Sequence, residues 1–376
     1  MKPKILFLQF GSFSNINNYV FGILEAEYPE CTIEKVDIWE MLKRRTPAKV
    51  YIANIYFFLI EYGTQIALGK KKWKKWRDWF FATSYVSLYV QKRIGELFSG
   101  KDYLFTFQTQ SIFNGKIDHI PHFIYTDHTT KTNLLYPDID PQEYIRSERF
   151  IKKCEEGIYG QANMIFTFGS LVEHSLIEQY KIPKEKVLAV YSGSNVKYDR
   201  DENLQKYDSR NILFVGVDWE RKGGPVLVKV FERVLERFPD ASLTIVGCSP
   251  RIPPLPNCHI MGRIPLEKVA DQYDSASIFC LPTLREPFGV AFVEAMSFRL
   301  PVIANNIGCI PDLVINDYNG YLIDNDVEKY AEAICRLLDN PGKCREMGNK
   351  GFLLAKSKFT WKKVGETMKE NIDRFL

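Results

Sequence analysis

Short apolar runs alternate with longer amphipathic stretches along the C-terminal half of the chain. Four runs rich in β-branched or aromatic residues predict strands at Asn211 to Val215, Ser242 to Val246, Ser277 to Leu281 and Val302 to Ala304. The stretch after Gly224 repeats every three to four residues and places four apolar residues on one helical stripe: Leu227, Val230, Val234 and Phe238. Strands that alternate with helices of this kind predict a parallel, doubly wound sheet.

The N-terminal half shows a weaker form of the same alternation. Its apolar runs predict five strands, at Ile5 to Phe10, Tyr103 to Phe107, His122 to Tyr125, Met164 to Phe168 and Val187 to Tyr191. They indicate a second Rossmann-like unit. Residues 195–210 are polar and charged, which is typical of an exposed interdomain linker. We therefore predict an N-terminal domain over 1–195, joined by a returning helix over 359–376, and a C-terminal domain over 210–356.

The composition fits this two-domain prediction. The chain has 376 residues, of which 45% are hydrophobic and 26% are charged, so it has enough apolar side chains for two folded cores. The net charge of +4 is small for this length and does not favour a nucleic-acid partner. The eight cysteines form no C-x-x-C pair and indicate reduced core residues. The chain opens directly on a strand without a secretory signal pattern, so we expect a cytoplasmic location.

Two carboxylates lie eight residues apart in the run from Arg285 to Met296, with a Phe-Gly-Val turn between them. Glu286 precedes a predicted helix N-terminus, where free N–H groups favour phosphate, and Glu294 lies one to two turns into that helix. One acid can hold sugar hydroxyls and the other ribose hydroxyls, with a diphosphate between them. The structural alternative is an ordinary loop and helix with solvated acids.

A basic loop, Gly216 to Gly224, follows one predicted strand and precedes a helix. Its cations, Arg221 and Lys222, would stand at the carboxyl edge of the sheet, where open α/β sheets bind ligands. Fixed cations there would stabilise the negative charge that builds up on a departing nucleoside diphosphate. The alternative is a solvent-exposed basic helix entry.

Together these segments resemble the retaining GT-B glycosyltransferases of family 4. The resemblance rests on Glu-x7-Glu with its Phe-Gly pair and Glu-Ala-Met triplet, on the strand that starts at Pro301, and on the Arg-Lys-Gly loop. Two positions depart from the family pattern, because Val217 replaces a basic residue and Arg299 stands where glycine is usual. The resemblance implies two Rossmann-like domains facing a cleft, with a final helix that crosses back to the N-terminal domain.

The resemblance also implies an activity, that of a hexosyltransferase that uses a UDP- or GDP-sugar and keeps the anomeric configuration. In it, Glu286 orients the donor sugar, Glu294 the ribose, and Arg221 with Lys222 the diphosphate. Further donor contacts are expected from Gly216, Phe288, Gly289 and Val290. No metal or other cofactor is required, because the two cations and the helix N-terminus can neutralise the phosphates.

The N-terminal half contributes two further candidates. His128 follows a predicted strand and resembles the strand-end histidine of the family, which borders the transferred sugar. The alternative is a structural histidine beside Asp127 that caps a helix or is held by a hydrogen bond. With His119 and His122, His128 also suggests a metal site, but no acid or cysteine cluster completes a ligand set. Gly11 follows the first strand and lets the backbone approach a ligand closely.

The most unusual stretch in composition is Lys70 to Phe81. Wound as a helix, it places Trp73, Trp76 and Trp79 on one face and most of its cations, including Lys74 and Lys75, on the other. This pattern favours the interface of an anionic membrane, whereas a surface helix that packs its tryptophans internally is the alternative. The apolar stretch before it, 50–68, contains Glu61 and is not predicted to span a membrane.

These observations lead to one main hypothesis and two alternatives. The main hypothesis is a peripheral enzyme on the inner membrane face that transfers a sugar to a lipid-linked or envelope-glycan acceptor. The first alternative is a soluble glycosyltransferase that uses the same donor site with a small-molecule acceptor. The second is a catalytically idle protein that binds nucleotide sugars.

Overall fold

The computed structural model describes residues 2–11, 15–68, 80, 82–139, 150–198 and 202–376, apart from the side chain of Arg45. The chain divides into two compact units. Unit 1 comprises Met1–Leu135, Ile139–Val190 and Val364–Leu376, and unit 2 comprises Tyr136–Asp138 and Tyr191–Lys363.

Unit 1 is built on a six-stranded parallel sheet with the order β2-β1-β3-β4-β5-β6. Its strands are β1 (Lys4–Gln9), β2 (Thr32–Asp37), β3 (Phe105–Thr109), β4 (His122–Thr126), β5 (Met164–Thr167) and β6 (Val187–Ala189). Its α-helices are α1 (Ile16–Glu27), α2 (Ile38–Arg45), α3 (Ala48–Ala67), α4 (Ser84–Phe98), α5 (Thr130–Asn133), α6 (Glu156–Gly160) and α7 (Ser170–His174). Two π-helical turns, Ile151–Glu155 and Ser175–Gln179, adjoin α6 and α7, and a 3-10 turn covers Lys184–Lys186.

The central strands of unit 1 are buried on both faces, which is why their sequences are continuous apolar runs. In β1 the four residues from Ile5 to Leu8 are fully buried. Aromatic rings of neighbouring strands pack on one another, with Phe105 edge-on to Phe123 and Phe123 stacked with Phe166.

Unit 2 contains a second six-stranded parallel sheet with the order β12-β11-β10-β7-β8-β9. Its strands are β7 (Asn211–Val215), β8 (Ser242–Val246), β9 (Cys258–Gly262), β10 (Ile278–Leu281), β11 (Val302–Asn305) and β12 (Gly320–Ile323). Its helices are α8 (Gly224–Arg237), α9 (Leu266–Ser275), α10 (Val290–Ser297), α11 (Val327–Leu338) and α12 (Pro341–Lys358), with 3-10 turns at Leu204–Asp208 and Ile310–Asp312.

The last helix, α13 (Trp361–Ile372), begins in unit 2 and continues into unit 1, and a 3-10 turn, Asp373–Phe375, follows it. Val364, Met368 and Ile372 are buried, as the helical spacing predicts. The hydroxyl of Tyr28 in unit 1 donates a 3.0 Å hydrogen bond to the carboxylate of Asp373. The predicted return of the final helix to the N-terminal part of the chain is therefore confirmed.

The predicted doubly wound class is confirmed in both halves of the chain. All nine predicted strands are present, and the four predicted stripe residues between Leu227 and Phe238 are buried. The three strands that the sequence pattern missed, β2, β9 and β12, all lie at sheet edges. An edge strand has one unpaired side and more exposed residues, so its apolar pattern is weaker.

The predicted linker over 195–210 differs from expectation. Its described residues belong to unit 2, and Val196, Lys206 and Tyr207 are buried there. Composition indicated exposure because the segment is polar. However, Lys206 donates a hydrogen bond to the carbonyl of Phe298 and Tyr207 donates one to the carbonyl of Arg299, which holds the segment against its own unit.

Candidate active site

The site residues of unit 2 gather where the strand order reverses direction. From β7 the chain proceeds outward to β8 and β9, whereas from β10 it proceeds the other way to β11 and β12. In open α/β sheets the crevice beyond the carboxyl ends of two such strands is the usual ligand site. The loop 216–223 leaves β7 there and the loop 282–289 leaves β10, so the two predicted motifs meet at one point of the sheet.

Glycines shape the first loop. Gly223 has a φ of +74°, and a Cβ on it would overlap the carbonyl of Pro282 in the second loop. A Cβ on Gly216 would lie 3.0 Å from Cγ of Lys222, so the lysine stem crosses directly over this glycine. The Lys222 ammonium is thereby directed toward the second loop.

There Lys222 forms an ion pair and hydrogen bond with Glu286, between Nζ and Oε2. The two side chains are only 11% and 9% exposed. A buried ion pair is stable only while both partners are present, because either charge alone would be desolvated without compensation. The sequence predicted both residues as donor contacts, and the structure brings them into direct contact with each other.

Arg221 lies beside this pair but has other partners. Its Nη1 donates a 2.8 Å hydrogen bond to the carbonyl of Arg285, and its Nε lies 3.3 Å from Oδ2 of Asp218. The side chain is 23% exposed, compared with 11% for Lys222. Arg221 thus braces the second loop, while its charge remains at the same sheet edge as the lysine.

The second loop ends at Gly289, which has a φ of +106° and is the N-cap residue of α10. None of the described side chains caps this helix, so its first N–H groups remain available to an anion. Val290 starts the helix and is partly exposed. The Phe288 side chain is buried, with its ring 6.4 Å from Tyr191 and 6.2 Å from Phe359. Phe288 therefore anchors the turn in the core of unit 2.

Glu294 lies on α10 and is almost fully buried. Its Oε2 accepts a 2.9 Å hydrogen bond from the Tyr273 hydroxyl, and the carboxylate also accepts a bond from the backbone N–H of Asn195. Burial raises the pKa of Glu294 to about 7, against the opposing effects of these two hydrogen bonds and of the charge of Lys222. The charge of Lys222 thus acts on both acids, through an ion pair with Glu286 and by lowering the pKa of Glu294.

His128 lies in unit 1, in the turn between β4 and α5. Its Nδ1 is 2.5 Å from Oδ1 of Asp127, and its backbone carbonyl accepts a 3.4 Å hydrogen bond from the Tyr159 hydroxyl. The imidazole is 23% exposed. Thr129 caps the following helix, so His128 itself is not the helix cap. The hydrogen bond to Asp127 on which the structural alternative depends is present. Part of the imidazole ring is exposed, so a ligand can also reach it.

Gly11 follows β1, at the point where the strand order of the unit 1 sheet reverses between β1 and β3. Its φ is +55°, its N–H donates to Asp37, and no atom of the described residues beyond its own chain neighbours lies within 4 Å of a Cβ placed on it. This glycine therefore occupies the position in unit 1 that corresponds to the loop 216–223 in unit 2.

Two further predictions concern a metal site and a membrane contact. Among the described residues, no group of three or more His, Cys, Asp or Glu side chains is arranged to hold a metal ion. The five residues predicted to contact a membrane lie outside the described residues: Trp73, Lys74, Lys75, Trp76 and Trp79. No helix in the described ranges combines the length and the apolar character needed to cross a membrane.

Sequence reasoning missed the residues that hold the site together. Tyr273 fixes Glu294, and Thr283 donates a 3.1 Å hydrogen bond to the carbonyl of Arg285. Asn305 donates a 2.8 Å hydrogen bond to the carbonyl of Thr283. Tyr136, which precedes these residues by more than a hundred positions, donates to the carbonyl of Glu286. A hydroxyl or amide at a strand end is a weak sequence signal, because such residues are common in loops.

Comparisons with known proteins show similarity to glycosyltransferases. Residues 195–353 match the family described as glycosyl transferases group 1. An uncharacterized glycosyltransferase from Haemophilus influenzae is 32% identical over 164 residues, which cover 40% of this chain and 46% of that protein. A D-inositol 3-phosphate glycosyltransferase from Corynebacterium diphtheriae is 25% identical over 243 residues, 57% of each chain.

A third relative is a GDP-mannose-dependent monoacylated alpha-(1-6)-phosphatidylinositol monomannoside mannosyltransferase from Corynebacterium glutamicum. It is 28% identical over 163 residues, which cover 39% of this chain and 43% of that protein. The chain thus spans about half the length of the curated relatives it matches.

Solved structures extend the similarity over nearly the whole chain. Sucrose-phosphate synthase from Thermosynechococcus elongatus has a TM-score of 0.66 at 17% identity and 99% coverage of both chains. Anabaena HepE in complex with UDP-glucose has a TM-score of 0.62 at 14% identity, with 99% coverage of both chains. WaaG, a glycosyltransferase involved in lipopolysaccharide biosynthesis, has a TM-score of 0.63 at 12% identity, with 98% of this chain and 99% of that chain covered. Residues 195–353 therefore match the glycosyl transferases group 1, and the chain as a whole has the two-domain, Rossmann-like GT-B fold.

Proposed function

We propose that the protein is a retaining glycosyltransferase that moves a sugar from a nucleoside diphosphate sugar to an acceptor. The observation that carries this proposal is the buried Lys222–Glu286 pair beside the uncapped N-terminus of α10, at the switch point of the unit 2 sheet. This arrangement offers a cation and free N–H groups to a diphosphate, and a carboxylate to the sugar next to it.

In this proposal each charged side chain has one task. Lys222 and the first N–H groups of α10 stabilise the negative charge that builds up on the leaving diphosphate, and Arg221 adds a second positive charge. Glu286 accepts hydrogen bonds from the donor sugar, and Glu294 accepts them from the ribose. The sugar is transferred on the face from which the diphosphate leaves, so the anomeric configuration is kept without a nucleophile from the protein.

His128 and Gly11 are the proposed ligand contacts of unit 1. The partly exposed imidazole of His128, held by Asp127, can exchange a hydrogen bond with a hydroxyl of the transferred sugar. Gly11 has no side chain, which lets a donor or acceptor approach its backbone closely. UDP- and GDP-sugars are both candidate donors, because similar proteins include HepE in complex with UDP-glucose and a mannosyltransferase named as GDP-mannose-dependent.

The donor assignment is tested by a thermal-shift screen with UDP, GDP and their glucose and mannose derivatives, followed by turnover assays. A bound donor raises the melting temperature by mass action. Glu286→Ala should abolish turnover of the preferred donor, and NMR of the product should show the retained anomer. Turnover near the wild-type level in Glu286→Ala would refute the assignment. Binding without transfer or hydrolysis would instead favour the idle nucleotide-sugar binder.

We further propose that unit 1 contacts an anionic membrane and that the acceptor is lipid-linked. Helix α3 supports this contact with an apolar face that points to solvent. Four of its apolar residues, spaced three or four apart, are about half to two-thirds exposed: Ile52 at 69%, Ile55 at 49%, Tyr56 at 62% and Leu59 at 54%. The opposite face of α3 is buried through Asn54, Phe58, Glu61 and Tyr62.

Positive charges flank this apolar face in the sequence. Lys43, Arg44 and Lys49 precede or open α3 and are exposed, and five lysines follow it between positions 70 and 75. An apolar helix face between cations is suited to the headgroup region of an anionic bilayer, where each cation adds about 1 kcal/mol of attraction. Relatives that act on a phosphatidylinositol mannoside or take part in lipopolysaccharide biosynthesis support a lipid-linked acceptor.

Vesicle co-sedimentation with and without anionic lipid tests the membrane contact. Replacing Ile52 and Leu59 by serine should weaken binding to anionic vesicles, as should replacing Trp73, Trp76 and Lys74. Leu353→Ser is a matched control, because Leu353 is 62% exposed on α12 of unit 2. Unchanged vesicle binding in both sets of variants would leave the soluble enzyme with a small-molecule acceptor as the better proposal.

A further inference from the structure

A three-residue segment from the N-terminal half of the sequence belongs to the donor-binding unit. The chain is part of unit 1 up to Leu135 and again from Ile139, but Tyr136–Asp138 belongs to unit 2. Two of its residues contact consecutive residues of the loop that carries the proposed sugar-binding acid. The segment is therefore placed where it can control the position of that acid.

The first contact is made by the side chain of Tyr136. Its hydroxyl donates a 3.1 Å hydrogen bond to the backbone carbonyl of Glu286, and both residues are buried. Gly308, with a φ of +59°, packs against this bond: a Cβ there would overlap the Glu286 carbonyl and lie 2.9 Å from the Tyr136 hydroxyl. The structure thus keeps space free for this hydrogen bond.

The second contact fixes the preceding residue. Nη2 of Arg285 lies 3.5 Å from Oδ2 of Asp138, and both side chains are partly buried. The Arg285 carbonyl also accepts hydrogen bonds from Arg221 and Thr283. The backbone carbonyls of residues 285 and 286 are therefore both held, and the second of them depends on Tyr136.

We propose that Tyr136 is a positioning residue for Glu286, so that it sets recognition of the donor sugar while nucleotide binding is independent of it. This inference rests on the proposed function. The carboxylate of Glu286 can orient a sugar only if its backbone is held within a fraction of an ångström, because small misplacements of an orienting group cost large factors in rate. Lys222 holds the carboxylate itself, and Tyr136 holds the peptide to which it is attached.

The test compares Tyr136→Phe with Tyr207→Phe. Tyr207 is a matched control, because its hydroxyl also donates to a backbone carbonyl of unit 2, that of Arg299, at 3.0 Å, and it is equally buried. Affinities for UDP and GDP, and turnover of UDP-glucose and GDP-mannose, are measured for both variants. We expect Tyr136→Phe to lower kcat/KM for the preferred donor about tenfold while the affinity for the free nucleotide changes less than about twofold.

A second measurement separates positioning from a general loss of stability. Combined with Glu286→Gln, Tyr136→Phe should cause little further loss of kcat/KM, because both substitutions act through the same carboxylate. Tyr207→Phe should reduce the melting temperature about as much as Tyr136→Phe but should leave donor turnover close to that of the wild type.

The possible failures are distinguishable. Wild-type turnover in Tyr136→Phe, an equal loss in Tyr207→Phe, or full additivity with Glu286→Gln would overturn the positioning role and leave the proposed function intact. A wild-type protein that binds no nucleotide sugar would overturn both proposals. If the wild type binds a nucleotide sugar without turning it over, kcat/KM cannot be measured. The variants are then compared by the ratio of their affinity for the nucleotide sugar to their affinity for the free nucleotide.

Discussion

Replacing Glu294 by glutamine should stabilise unit 2 and weaken nucleotide binding at the same time. The Glu294 carboxyl group is buried on α10, and its pKa is raised from the ordinary value of 4.5 to about 7. The glutamine side chain has nearly the same size, and its amide can keep a hydrogen bond with the Tyr273 hydroxyl. The substitution therefore removes a buried ionisation with little change in packing.

Proton linkage determines the sign and size of the change in folding stability. Below pH 4.5 the carboxyl is protonated in both the folded and the unfolded state and has no effect. Between pH 4.5 and about 7 the unfolded state releases the proton while the folded state keeps it, so stability falls as pH rises. Above pH 7 the loss is complete at about 3 kcal/mol, which Glu294→Gln should recover. For a unit of this size the gain corresponds to about 6–12 °C in melting temperature.

The assay is thermal unfolding of the wild type and Glu294→Gln at pH 5 and pH 8, with UDP and GDP affinities measured at both pH values. The stabilisation should be large at pH 8 and small at pH 5. Wild-type nucleotide affinity should rise with pH through about 7, because the proposed ribose contact needs the charged carboxylate, and the variant should bind weakly at both. Glu332→Gln is the control, since Glu332 is exposed on α11. A variant less stable than wild type at pH 8 would contradict the reasoning.

Three further substitutions test other parts of the structure. Lys222→Met should lower the free energy of unfolding by about 3–5 kcal/mol, because it leaves Glu286 buried and unpaired. In denaturant titrations the double variant with Glu286→Gln should recover most of this stability. A double variant as unstable as Lys222→Met alone would contradict this. Gly223→Ala should lower both melting temperature and donor affinity because of its φ of +74°, whereas Gly95→Ala, whose Cβ would meet open space in α4, should not. Burial lowers the pKa of His122 to about 3, so the folded state stays neutral while the unfolded state binds a proton below pH 6.5. His122 should therefore lower the stability of unit 1 by about 1.4 kcal/mol for each pH unit below 6.5, down to about pH 3. His122→Leu should remove this contribution in acid titrations, and the same pH dependence in the variant and the wild type would refute it.

The sequence alone determined the interior of the fold. Central strands such as β7 and β8 lie within the predicted limits, because a strand buried on both faces must be a continuous apolar run. The amphipathic period of α8 was equally clear, since one side faces the sheet and the other faces water. The sequence also placed the loops 216–223 and 282–289 between a strand and a helix, because each follows an apolar run and precedes a helical pattern.

Only the tertiary structure decided which of these residues meet. Lys222 and Glu286 are separated by 64 positions and pair because β7 and β10 are neighbours in the sheet. Tyr136 reaches the carbonyl of Glu286 across 150 positions. Periodicity and turn chemistry act over a few residues, so the sequence can specify each strand, helix and loop. Contacts between distant loops depend on strand order and on the path of each side chain, and these are fixed only when the whole sheet has formed.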